Sequence, residues 1–184
     1  MRTLVFALIL LVPQGSDMTR LREHGVKIHI LLDGQEASGS GVYIDKFTIL
    51  TANHLYMEGA TYFSDDQHLI PLIIGRRDET KDLMLVSTLV KGKVASLGSN
   101  PKRLDTIYAV GYPMGSTNVI VQGRIADFTD DQLLVDATVV KGMSGGGVYS
   151  ENGRLVGITS ASWGDDKFMV AISLKAIKKF LEGK

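Results

Sequence analysis

The sequence predicts an all-β chain of two antiparallel six-stranded β-barrels followed by a C-terminal α-helix. From Val26 onward, short apolar or alternating runs are broken by glycine and aspartate, the pattern of strands joined by turns. The runs fall into two sets of six, separated by a polar stretch at 96–105 that contains Gly98, Asn100 and Pro101. Helical spacing appears in the last segment alone.

At the N-terminus, Arg2 precedes an apolar run over 4–12, then Pro13 and the polar Gln14-Gly15-Ser16-Asp17. That run suits the core of a signal peptide and falls short of the roughly 20 residues a membrane-spanning helix needs. Residues 1–16 are therefore expected to be a signal peptide or a short anchor. Either one exports the chain, to the periplasm or outside the cell, and an uncleaved segment would tether it to the membrane through 4–12. A first buried strand is the competing reading.

The first barrel is expected within 17–100, with strands at 26–32, 39–44, 48–52, 61–63, 69–75 and 83–88. The second is expected within 101–172, with strands at 106–110, 119–128, 132–136, 146–150, 155–162 and 168–172. Glu151-Asn152-Gly153 reads as a hairpin turn, because Asn-Gly tolerates the positive φ values such turns demand. Residues 173–184 read as the helix: Ser173 is an N-cap, Leu174, Ile177 and Leu181 share a face, and Gly183 lies past the end.

Composition narrows the function. In 184 residues, 45% are hydrophobic, which is enough for a packed core, and 20 basic residues balance 20 acidic ones. Such a balance leaves no basic footprint for nucleic acid, and Lys175, Lys178 and Lys179 read as a solvated helix face. Cysteine is absent, which removes disulfides, zinc-thiolate sites and thiol nucleophiles. The four histidines lack metal-ligand spacing, and the glycine-rich stretch lacks the GxxxxGK[ST] pattern of a phosphate loop. Neither a metal nor another cofactor is expected.

Three local signals carry chemistry. Thr51-Ala52-Asn53-His54 puts an imidazole at the end of a strand, whereas His24, His29 and His68 have no comparable context. Asp82 heads the apolar run Leu83-Met84-Leu85-Val86, where it would be drawn inward and need a partner such as an imidazole N–H. Asp78 competes for that role, but Arg77, Glu79, Thr80 and Lys81 surround it and suggest a solvated loop. Gly142-Met143-Ser144-Gly145-Gly146 brackets a serine with glycines that allow a sharp turn. A serine hydroxyl needs a base and an orienting acid before it attacks anything at neutral pH. His54, Asp82 and Ser144 supply all three in that order, 28 and 62 residues apart.

On these residues the chain resembles the trypsin-like serine proteases, and within them the HtrA-type protease domain. The similarity extends to Leu97-Gly98-Ser99, to Ala109-Val110-Gly111-Tyr112-Pro113-Met114-Gly115 with its Gly-x-Pro-x-Gly turn, to Asp136-Ala137 eight residues before Ser144, and to Leu155-Val156-Gly157-Ile158 after Gly153. It covers roughly 26–181. Asn53 stands where alanine is common, and Met84 where a small residue is usual. Met143 stands where the pancreatic enzymes carry the aspartate that pairs with a freed N-terminus, so activation by that salt bridge is not expected. The HtrA type also has a non-acidic residue there. No PDZ segment follows the helix within these 184 residues, so HtrA-type peptide sensing is not expected.

The resemblance implies a serine endopeptidase acting on polypeptides. His54, Asp82 and Ser144 would be the catalytic triad, and the amides of Gly142 and Ser144 the oxyanion hole. Substrate would lie as an extended strand against Ser160-Ala161-Ser162, with Ser160 within reach of Asp82. Thr138 would sit at the base of the specificity pocket; as a neutral residue it implies cleavage after small or uncharged apolar side chains. Asp165 and Asp166 read as a solvated turn at the pocket rim. Homo-oligomers occur among HtrA proteases. The alternative is a catalytically silent double barrel that binds peptides, because a fold does not establish an activity; an esterase or a self-processing protease is a further reading.

Overall fold

The computed structural model describes residues 18–64, 69–165 and 167–183. The expected leader at 1–16, His68 and Asp166 lie outside the described residues.

A short 3-10 turn, Met18–His24, leads into β1 (Gly25–Leu32), β2 (Gln35–Asp45), β3 (Thr48–Ala52), β4 (Thr61–Ser64), β5 (Ile70–Asp78) and β6 (Leu83–Thr88). These close into an antiparallel barrel in the order β1-β2-β3-β6-β5-β4. The second set is β7 (Thr106–Gly111), β8 (Val119–Phe128), β9 (Gln132–Asp136), β10 (Gly147–Ser150), β11 (Leu155–Trp163) and β12 (Phe168–Ser173). It closes as β7-β8-β9-β12-β11-β10, the same order moved along by one barrel. The all-β double barrel read from the sequence is what the chain forms.

Alternation accounts for each barrel wall. In β1, Val26, Ile28 and Ile30 point inward while Lys27 and His29 do not, so one face is buried and a slip of one residue would turn it out to water. Asp33 and Gly34 both have positive φ (49° and 78°), which makes a tight hairpin and carries β2 back to Gln35. β5 likewise runs past the expected Gly75 to Asp78, across a bulge between Ile74 and Arg77. Asp78 consequently ends a strand and is not in a solvated loop. Lys81 Nζ pairs with it at 2.6 Å, and the hydrogen bonds from Lys81 hold its carboxyl below the usual value.

Each barrel has its own core, and a third cluster joins them. Val42, Leu50 and Leu83 of the first barrel meet Val110, Tyr149, Leu155 and Ile158 of the second. The helix α1 (Leu174–Leu181) closes over this seam with Ala176, Ile177 and Phe180. Ser173 Oγ accepts from Ala176 N at 3.1 Å, the expected N-cap. From the first barrel, Arg76 lies over the Phe180 ring, 4.5 Å from its centroid, and donates to the Phe180 carbonyl. Burial of one large aliphatic side chain contributes roughly 2 kcal/mol, so the joint rests mainly on this apolar seam. Among the described residues, no helix is long and apolar enough to cross a membrane.

Candidate active site

Strand β3 ends in a 3-10 turn, Asn53–Leu55, that carries His54 out of the first barrel. The turn is held from several sides. Asn53 N donates to Asp82 O at 3.0 Å, and Arg77 Nε donates to Asn53 Oδ1 at 2.9 Å. The Arg77 guanidinium also stacks on Tyr56, 3.3 Å from the ring centroid.

Asp82 precedes β6 with φ 55°, a left-handed conformation that aspartate tolerates better than bulkier residues. Its Oδ1 accepts from the His54 backbone N at 2.8 Å, and its Oδ2 lies 2.9 Å from His54 Nδ1. Ser160 Oγ donates to the same Oδ2 at 2.5 Å. Burial pushes the Asp82 carboxyl up, but the hydrogen bonds from His54 Nδ1, Ser160 Oγ and His54 N together outweigh it and hold the group below the usual carboxylate range. The carboxylate is therefore charged at neutral pH and fixes the imidazole with Nδ1 as donor.

Ser160 reaches Asp82 because β11 bulges there. Thr159 pairs with Ala171 and Ala161 with Val170, so Ser160 is the extra residue. Its own carbonyl accepts from Ser144 Oγ at 3.3 Å. Ser160 thus bridges the acid and the glycine-bracketed serine.

Ser144 sits in a turn whose glycines are required. Gly142 has φ 95°, and a Cβ on it would lie 2.5 Å from Tyr112 O; a Cβ on Gly145 would lie 2.1 Å from Ser40 O. Gly145 N donates to Thr159 O at 2.7 Å and Gly146 N to Met143 O at 3.0 Å. Among the described residues, no protein oxygen accepts from Gly142 N or Ser144 N. Met143 is buried in the core of the second barrel.

Beside Ser144 lies a pocket of about 500 Å³ lined by Thr138, Lys141, Ser160, Ala161 and Ser162 among others. Among the described residues, no carboxylate lines it. The structure thus gathers His54, Asp82, Ser144, Thr138 and Ser160–Ser162 at the junction of the barrels. Asp165 lies in the turn after β11 and lines no part of this pocket. His24 stacks on Tyr149 and His29 lies within β1, both outside the site. A second groove, lined by Phe128, Leu134, Trp163 and Val170, lies on the second barrel and contains none of His54, Asp82 and Ser144.

Sequence reasoning missed Arg77 and Ser40. Ser40 Oγ donates to Gly142 O at 2.7 Å from 102 residues away. The small-residue run Ser38-Gly39-Ser40-Gly41 was the available signal: a Cβ on Gly39 would lie 2.3 Å from Leu55 Cδ1, so β2 must be slim where it passes the His54 turn.

Residues 39–158 match the family described as trypsin-like peptidase domain. A probable periplasmic serine endoprotease, DegP-like, of Bartonella henselae is 30% identical over 68% of this chain. A protein of the same description from Brucella suis is 33% identical over a similar span. The chain spans about 28% of the length of these curated relatives. Among solved structures, the Rv3671c protease of M. tuberculosis in its active form superposes with a TM-score of 0.81 at 18% identity, covering 91% of this chain and 83% of that one. A serine endoprotease from Yersinia pestis gives 0.79 at 23% identity, covering 94% and 67%. The chain belongs to the trypsin-like peptidase family, with DegP-like serine endoproteases among its homologues.

Proposed function

We propose that the chain is a serine endopeptidase that hydrolyses peptide bonds through an acyl-enzyme. The observation that carries this reading is Ser160, which hydrogen-bonds the acid through its hydroxyl and the nucleophile through its carbonyl. Ser160 therefore ties the carboxylate that holds His54 to the hydroxyl of Ser144 across the two barrels.

In the reaction, Ser144 Oγ turns from the Ser160 carbonyl to His54 Nε2, which takes its proton as the oxygen attacks the scissile carbonyl. Catalytic hydrogen bonds of this kind tighten when substrate arrives. Asp82 holds the imidazole in the Nδ1–H tautomer and stabilises the imidazolium that forms. The amides of Gly142 and Ser144 receive the oxyanion, each worth about 3 to 4 kcal/mol. The leaving amine takes the proton from His54, and water repeats the sequence to release the acid.

Substrate pairs as a strand with Ser160-Ala161-Ser162, which are part-exposed to exposed on β11. The pocket takes small or uncharged apolar side chains, because Thr138 is neutral and Lys141 repels a cation. Placement in the periplasm or outside the cell follows the DegP-like relatives, described as periplasmic. The same reading includes homo-oligomers, and a membrane tether through 4–12 where that segment is uncleaved.

A fluorophosphonate probe is expected to label the wild type and not Ser144→Ala, with cleavage of unfolded casein lost in parallel. Absence of both in the wild type would leave the double barrel a silent peptide-binding module. Ester hydrolysis without casein cleavage would make it an esterase.

A further inference from the structure

The loop that carries Ser144 belongs to the second barrel, but its shape is held from the first. Ser40, on β2, is 1% exposed and touches this loop twice. Its backbone N donates to Ser144 O at 2.8 Å, and its Oγ donates to Gly142 O at 2.7 Å. The same Oγ accepts from Tyr112 N at 2.9 Å. Both partners of the hydroxyl are main-chain groups, one able only to accept and the other only to donate, so the direction of its proton is fixed.

The two peptides on either side of the Gly142 Cα are consequently pinned. The Gly142–Met143 peptide is held at both ends, by Ser40 Oγ on its carbonyl and by Met143 N donating to Val140 O at 3.2 Å. In the Lys141–Gly142 peptide, the carbonyl accepts from Met114 N at 2.6 Å. A trans peptide aims its N–H opposite its carbonyl, so Gly142 N points away from Met114. Tyr112 and Met114 belong to one turn, and Ser40 holds the start of that turn as well as Gly142. The chain of contacts continues to the base: Thr51 Oγ1 donates to Ser40 O at 2.6 Å, and Thr51 stands three residues before His54 on a continuous segment.

We propose that Ser40 is a positioning residue of the first barrel that holds the Gly142 amide in the orientation that accepts an oxyanion, by clamping the Gly142 carbonyl and the Tyr112 amide with one buried hydroxyl. The proposal rests on the reading of Gly142 and Ser144 as the oxyanion hole. Without the hydroxyl, the Gly142 carbonyl and the Tyr112 amide both lose a buried partner, and Gly142, the residue freest to rotate, can turn its amide away. The loss falls on the transition state, where the oxyanion exists, and spares the pairing of ground-state substrate with β11.

The test uses the full chain with a fluorogenic peptide amide and a peptidyl trifluoromethyl ketone, which adds Ser144 Oγ to its carbonyl and leaves an oxyanion. Removing a whole oxyanion donor costs 10²- to 10³-fold in kcat, so a misaimed one in Ser40→Ala is expected to lower kcat by about 10- to 100-fold, with KM within about twofold. Affinity for the ketone should fall by the same factor as kcat/KM. Ser40→Thr, which keeps the hydroxyl, is expected to recover most of the activity. Should Ser40→Ala not fold, Ser40→Cys keeps the shape, weakens both bonds and gives the same readouts. A Ser40→Ala or Ser40→Cys enzyme with wild-type kcat, or one whose loss lies in KM with ketone affinity unchanged, overturns the proposal. A wild type inert towards fluorophosphonate and casein overturns the endopeptidase reading itself, so the two failures are distinct.

Discussion

The Ser160 hydroxyl donates to Asp82 Oδ2 over 2.5 Å although the two residues lie 78 positions apart and in different barrels. The contact exists because a bulge in β11 makes Ser160 the unpaired residue. It helps to hold the Asp82 carboxyl below its ordinary value. Ser160→Ala removes a donor that favours the charged form, so the carboxyl rises and the Asp82–His54 pair loses a contact that fixes its orientation. A hydrogen bond to a charged group is worth about 1.5 to 3 kcal/mol when buried. At this partly exposed site, kcat at neutral pH is expected to fall by about tenfold. A Ser160→Ala enzyme with wild-type kcat at neutral pH would refute the role given to Ser160.

Asp82→Asn keeps the shape of the acid and removes its charge. An amide can donate to Nδ1 and so select the wrong imidazole tautomer, for which the loss in kcat is about 10⁴-fold in enzymes built on this triad. The variant also tests stability. Because the folded carboxyl is lowered, its contribution is fully present above the unfolded value of about 3.9 and is lost as pH falls through the folded one. The gap in Tm between wild type and Asp82→Asn should therefore hold from pH 7 to pH 5 and close below about pH 4. Thermal melts across that range check it.

The fold was legible because both barrels are built from runs whose inward positions are Val, Ile and Leu, as in Val26, Ile28 and Ile30 of β1. Strand ends were less legible. Asp33-Gly34 forms a tight turn, and its consequence for Gln35 lies in pairing with Leu32 across the hairpin. His54, Asp82 and Ser144 stood out because each carries a local cue, a strand end, an apolar neighbour or flanking glycines. Arg77 carries none, and the small-residue run around Ser40 says that β2 is slim but not what it meets: their partners Asn53 and Gly142 lie 24 and 102 residues away, and only the closed barrels bring them together.

Asn53 and Arg77 support each other beneath the His54 turn. Asn53 is buried and accepts from Arg77 Nε, while Arg77 stacks on Tyr56. Arg77→Ala leaves the Asn53 oxygen without that donor, and Asn53→Ala leaves the guanidinium without its acceptor. Each single variant is expected to lose about 1 to 2 kcal/mol of stability, and the double variant to lose less than the sum by about 1 kcal/mol. Denaturant melts of the four proteins in the cycle measure the coupling. Additive losses would show that the two side chains hold the His54 turn independently.

The pocket next to Ser144 offers the sharpest test of specificity. Thr138 lines it, no carboxylate among the described residues does, and Lys141 adds a positive charge. A cationic side chain entering this space would be desolvated without a counter-charge, which costs several kcal/mol. Thr138→Asp supplies the missing carboxylate. For paired peptides that differ only before the cut, the ratio of kcat/KM for lysine over alanine is expected to rise by at least about tenfold, an ion pair worth some 1.4 kcal/mol in the transition state. Lys141 would attract the new carboxylate too, and Thr138→Asp combined with Lys141→Ala should raise the ratio further. If neither variant changes it, Thr138 does not face the side chain before the cut, and the pocket beside Ser144 receives another part of the substrate.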